Sequence, residues 1–124
     1  MRHKAEVASL WIEHMRSRFP RALAGKLIEG IDLVMLDADI AGFTTTYLDC
    51  ESSSDFHLTY QDWHEREHSR LPVSEFLLKL LDDSDKVSAS LEGEFGRYYG
   101  LLHTVIEMVC SDVLPVPPSD EPGG

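Results

Sequence analysis

The chain is 124 residues long and 43% apolar, with 22 Asp/Glu against 11 Lys/Arg and a formal net charge of -11. That length is one domain, able to bury roughly two-thirds of the surface its unfolded form exposes without metal or disulfide support. So acidic a body repels phosphate backbones and anionic membranes, which argues against nucleic acid and membranes as partners and in favour of basic proteins.

The charge is uneven. Residues 1–30 hold six Lys/Arg and three Asp/Glu, a balance of +3, whereas residues 31–124 hold five and nineteen, a balance of -14. The opening MRHKAEVASLWIEHM is basic at its start, but Glu6 and Glu13 interrupt the apolar core a signal peptide needs. No run approaches 18 apolar residues, so a cytoplasmic location is expected. Two cysteines, Cys50 and Cys110, are too few for a disulfide framework and are expected to be reduced and partly buried.

Residues 4–19 predict a first amphipathic helix with Ala8, Trp11, Ile12, Met15 and Phe19 on its inner face, ended by Pro20. Arg16, Arg18, Arg21 and Lys26 gather near its end, where cations suit the helix dipole. Residues 22–30, punctuated by Gly25 and Gly30, read as a linker or short helical turn.

The segment at about 31–50 predicts the central helix, capped by Asp32. Leu33, Leu36, Ile40, Phe43, Tyr47 and Leu48 form one stripe, and Val34, Ala38, Ala41 and Thr45 a second of smaller residues beside it. Asp37 projects between the stripes and is expected to be partly buried, with a Tyr hydroxyl, a Trp indole or an Arg of the first helix as its partner. Asp39, on the opposite flank, is expected to be exposed.

After Cys50 the polar run ESSSDFH reads as a mobile connection, and Thr59 with Asp62 as the start of a further helix. Pro72 should divide that helix from the next, in which Val73, Phe76, Leu77, Leu80 and Leu81 form a stripe closed by the run DDSDK. From about Ser90 to Val113, the residues Leu91, Phe95, Tyr98, Leu102, Val105 and Val109 are spaced as a bundle seam. Gly93, Gly96 and Gly100 weaken this helix unless close packing compensates. The last residues, LPVPPSDEPGG, cannot continue a helix. The expected fold class is all-α: a compact bundle of four or five helices around the central helix, one domain over 1–113, with a disordered Pro/Gly-rich tail over 114–124.

The sharpest motif is the run His64, Glu65, Arg66, Glu67, His68, which fits the H-E-x-x-H pattern of zinc hydrolases. Charged Arg66 and Glu67 inside the motif, the absence of a substrate-aligning strand and the absence of a third histidine extension all speak against proteolysis. A solvated helix with an Asp62–Arg66 pair explains the run as well. His103 and Glu107, one turn apart, complete the alternative metal set of His64, His68, His103 and Glu107. Ser52 to Ser54 near His57 lack a nucleophile elbow, and no phosphate-binding glycine loop is present.

The leading expectation is a small, acidic, non-enzymatic interaction domain, without a cofactor, that binds a basic protein. In charge and size alone it resembles the immunity proteins and antitoxins that block basic nuclease toxins. The expected contact set is Asp55, Asp62, Glu65, Asp82, Asp83 and Asp85. The alternatives are a zinc-binding domain or hydrolase, and a self-associating helical domain that forms a homodimer through the Leu91 to Val109 seam.

Overall fold

Helical periodicity runs through most of the chain, and the computed structural model turns it into five helices: α1 (Lys4–Arg16), α2 (Leu33–Asp49), α3 (Ser53–Arg66), α4 (Val73–Ser90) and α5 (Gly93–Val113). The structure describes residues 1–66 and 72–114, with residues 61–66 described by backbone alone. The predicted tail beyond Leu114 lies outside the described residues. Among the described residues no helix is long and apolar enough to cross a membrane.

Two helices share the centre. α2 packs on every other helix, as expected, and so does α5, which has its most extensive contact with α4. The seam of α5 is buried within the single chain: Leu102, Val105 and Val109 are fully covered, together with Tyr99, Ile106 and Val113. The first half of the seam, Leu91, Phe95 and Tyr98, is half-buried. On α2, the large stripe is buried as predicted except for the half-buried Leu48, but Val34, Ala38 and Thr45 of the small stripe face outward. Small side chains suit a helix crossing, but here Ala38 and Thr45 line a surface cleft instead.

The inner face of α1 is rotated from the expected one. Val7, Trp11 and His14 are buried, while Ile12 and Met15 are 54% and 69% exposed. The helix turns this way because His14 finds a polar partner inside the bundle, so a residue ordinarily counted as polar takes a core position. α1 also ends at Arg16, four residues before Pro20, when Ser17 adopts an extended conformation.

Between α1 and α2 a 3-10 turn (Arg21–Leu23) leads into a minimal antiparallel hairpin, β1 (Leu27–Ile28) with β2 (Ile31–Asp32). Glu29 and Gly30, at φ +49° and +78°, make its two-residue turn, the mirror-image type that suits twisted strands. Strands two residues long show no alternation, which is why the hairpin is invisible to a periodicity argument. Asp32 then caps α2, its carboxylate accepting the Met35 amide at 3.1 Å, as predicted.

The connection expected after Cys50 is mostly helix. α3 begins at Ser53, six residues before Thr59, because the Ser52 hydroxyl accepts the Asp55 amide at 3.1 Å in a Ser-x-x-Asp capping pattern. Thr59 lies inside the helix and donates to the Asp55 carbonyl. Likewise DDSDK does not close α4, which continues to Ser90; Lys79–Asp83 at 2.7 Å and Lys86–Asp82 at 2.9 Å staple it one turn apart.

The glycines of α5 differ in role. A β-carbon on Gly96 would sit 2.7 Å from the Leu91 carbonyl oxygen, whereas one on Gly100 would meet nothing within 4 Å. Gly96 therefore marks a close approach, and Gly100 does not. Gly100→Ala should stabilise the protein by up to about 1 kcal/mol through helix propensity, while Gly96→Ala should lower stability despite the same propensity gain. Urea unfolding midpoints of the two variants, moving in opposite directions, check this.

One junction closes the bundle. Asp112 on α5 accepts the Tyr47 hydroxyl from α2 and the His3 amide, the latter at 2.8 Å, while Lys4 donates to the Cys50 carbonyl at 2.7 Å. Ser53 donates to the Val113 carbonyl at 3.2 Å, and the His57 ring lies 2.6 Å from the same oxygen. Ser53 and His57, neighbours of a nucleophilic kind in the sequence, thus fasten α3 to the end of α5.

Candidate functional site

Asp37 is held between three elements. Tyr98 of α5 donates to Oδ2 at 2.9 Å, and His14 of α1 places Nε2 3.3 Å from Oδ1. The Tyr hydroxyl was among the expected partners; His14 was not. Its ring stacks on Trp11 at 5.0 Å and lies 4.6 Å from the Tyr98 ring, so the polar group is packed as an aromatic one. Burial and the Asp37 charge push the Tyr98 hydroxyl far above its ordinary range, and burial with Asp37 and Asp32 does the same for Tyr99. Both phenols stay protonated and act as donors, Tyr99 to the Leu33 carbonyl at 2.6 Å. His14 Nδ1 has no hydrogen-bond partner among the described residues.

The cluster lies beneath a cleft. A cavity of about 1170 Å³ runs between the end of α1, the 3-10 turn and the first half of α5, with His14 and Tyr98 in its wall. Arg18, Arg21 and Arg97 line it, as do Glu13 and Glu94. A second cleft of about 760 Å³ lies over the outward face of α2, lined by Ala38, Asp39, Thr45, Tyr60 and Phe76. Asp39 is half-buried there, contrary to the expected exposure, and burial raises its carboxyl above the ordinary value, with Lys79 opposing.

Among the described side chains, the predicted acidic contact set is drawn from two helices. Asp82, Asp83 and Asp85 share α4, whereas Asp55 sits in the first turn of α3. Asp83 is 8% exposed and tied to Lys79, so it is not a free contact residue. It turns inward because its position falls at the edge of the stripe that Leu80 and Val87 bury. The side chains of Asp62, His64 and Glu65, and the whole of His68, lie outside the described residues.

His103 sits among acids. Its Nε2 is 3.5 Å from Glu107 and 4.0 Å from Asp85, and its Nδ1 is 2.8 Å from the Ser84 hydroxyl. Serine, histidine and carboxylate in series have the outline of a hydrolase triad, but Ser84 is completely buried and also within 3.0 Å of the Leu81 carbonyl. No substrate carbonyl can reach it, and mid-helix amides offer no oxyanion hole. Among the described residues no three His, Cys, Asp or Glu side chains converge as a metal site. Cys50 and Cys110 are both buried, and neither forms a disulfide. Burial pushes the Cys110 thiol up to about 12, helped by Glu107, which leaves it inert as a nucleophile at neutral pH.

Fold and clefts together define a helical bundle, five helices among the described residues, with a small hairpin before its second helix and a strongly acidic composition. No family model matches the chain, and neither the curated proteins nor the solved structures give a match.

Proposed function

We propose that the protein is a non-enzymatic interaction domain that binds a basic protein through the outer face of α4 and the adjoining part of α5. The observation that supports this is a ridge: Glu75, Leu78, Asp82 and Asp85 are spaced 3, 4 and 3 residues apart on α4, all outward-facing. Asp85 is 70% exposed, and Glu107 on α5, 66% exposed, flanks the same histidine. Neither has a Lys or Arg partner among the described residues. Leu78, 53% exposed, supplies an apolar centre to a rim of carboxylates.

Such a surface suits a partner with an apolar anchor surrounded by Lys and Arg, held by contact and steered by charge. A Lys/Arg-rich amphipathic helical peptide is a suitable probe. Its affinity should fall at least about tenfold between low and physiological salt, and amide shifts should concentrate on residues 75–89 and 103–107. Asp85→Lys with Glu107→Lys, two carboxylates without a Lys or Arg pair, should slow association about tenfold or more while leaving the melting curve close to the parent. Shifts spread evenly over the molecule, or affinity indifferent to salt, would reject this surface.

A further inference from the structure

We propose that the cleft between the end of α1, the 3-10 turn and the first half of α5 binds a phosphate-bearing small molecule, clasped by Arg18, Arg21 and Arg97. The three arginines come from segments about 80 residues apart in the chain and line one cleft only in the folded protein. This chain has twice as many carboxylates as cations, so partners abound. Yet none of the three makes an ion pair or hydrogen bond among the described residues, whereas Lys79 and Lys86 are both paired.

The amino-terminal end of α5 opens on the same cleft. Gly93, Glu94 and Phe95 line it, and Glu92, at the cap position, makes no side-chain cap bond, so the first amides of a 21-residue helix have no cap acceptor there. Those amides carry the positive end of the helix dipole, which favours an anion. A separate observation comes from the wall. His14 is 5% exposed, its Nε2 is engaged by Asp37, and its buried Nδ1 has no partner among the described residues. A buried polar atom left unsatisfied is costly, and because His14 borders the cleft, a small opening of the wall there would let a ligand oxygen satisfy it.

The chemistry narrows the ligand. Glu13 and Glu94 also line the cleft, so a bound anion must gain more from the arginines than it loses to these two carboxylates. Three planar guanidinium forks suit the several oxygens and higher charge of a phosphate or diphosphate. At about 1170 Å³ the cleft is far larger than inorganic phosphate needs, and the Phe95 and Tyr98 rings in its wall can pack against an organic part. A nucleoside diphosphate has this combination of charge and ring. The net charge of the body does not oppose it decisively, because at physiological salt the distant carboxylates are screened beyond about 8 Å while the arginines act at contact.

Titration calorimetry with pyrophosphate and with ADP on the full chain tests the site. ADP should saturate it at a submillimolar dissociation constant and bind more tightly than pyrophosphate, with amide shifts at Ser17 and Gly93–Gly96. Arg97→Gln should weaken ADP about tenfold, as expected for loss of a charge-assisted fork, while Lys26→Gln, which removes a cation outside the cleft, should change it by less than about twofold. Arg21→Gln serves as the second variant if Arg97→Gln melts early. Absence of saturation at about 10 mM ADP would overturn the proposal, since that is weaker than any site built for the ligand. Equal losses in the Lys26 and Arg97 variants, or full competition by an acidic peptide or by anionic vesicles, would overturn it too.

Discussion

Replacing Asp112 with alanine is expected to cost about 2–3 kcal/mol at neutral pH, because it strands the Tyr47 hydroxyl and the His3 amide that donate to a charged acceptor. The effect should be pH-dependent. Burial alone raises the Asp112 carboxyl, but the Tyr47 and His3 donors, with the positive charge of the His3 ring and the amino terminus, bring it below the ordinary value. The folded protein therefore releases this proton more readily than the unfolded chain does. Its stabilisation is complete above the unfolded value, near pH 4, and is lost as pH falls through the lower folded one. Urea unfolding at pH 7 and at about pH 3 should show the gap between parent and variant shrinking in acid. A gap of equal size at both would mean that the carboxylate's charge contributes nothing.

The larger loss is expected in the core. Leu102→Ala removes a fully buried side chain from a helix that touches all the others, and should cost about 2–5 kcal/mol depending on how far its neighbours collapse. Ile12→Ala, by contrast, should stay within about 0.5 kcal/mol, since that side chain stands mostly in water. Denaturant curves for the pair set a buried position of α5 against the outer face of α1. If Ile12→Ala were the more damaging, the orientation of α1 would be wrong.

That pair also shows where sequence reasoning works here and where it stops. The seam of α5, the large stripe of α2 and the Asp32 cap were legible because each depends on local spacing, which the chain carries in itself. The buried face of α1 was not, because Val7, Trp11 and His14 are selected by what they meet, and what His14 meets is a carboxylate 23 residues away. Polar runs misled for a related reason: serines and aspartates that suggest a loop after Cys50 also start helices, and DDSDK stays helical once Lys79 and Lys86 bridge across a turn. Asp37 was recognisable as an odd charge on an apolar helix. The cleft above it was not, since Arg18, Arg21 and Arg97 share no sequence pattern and are brought together only by the packing of α1 against α5.

The Asp112 junction bears on the order in which the molecule assembles. Its contact with His3 spans 109 residues, whereas the Ser84–His103 contact between α4 and α5 spans 19. For a flexible chain, closing the longer loop costs about 1.5 kcal/mol more in entropy before any contact rewards it. The helical hairpin written last in the chain is thus the part that condenses cheaply, and the helix written first is the part that arrives last. Pulse-labelled hydrogen exchange during refolding would read this as early protection in α4 and α5, followed by late protection in α1.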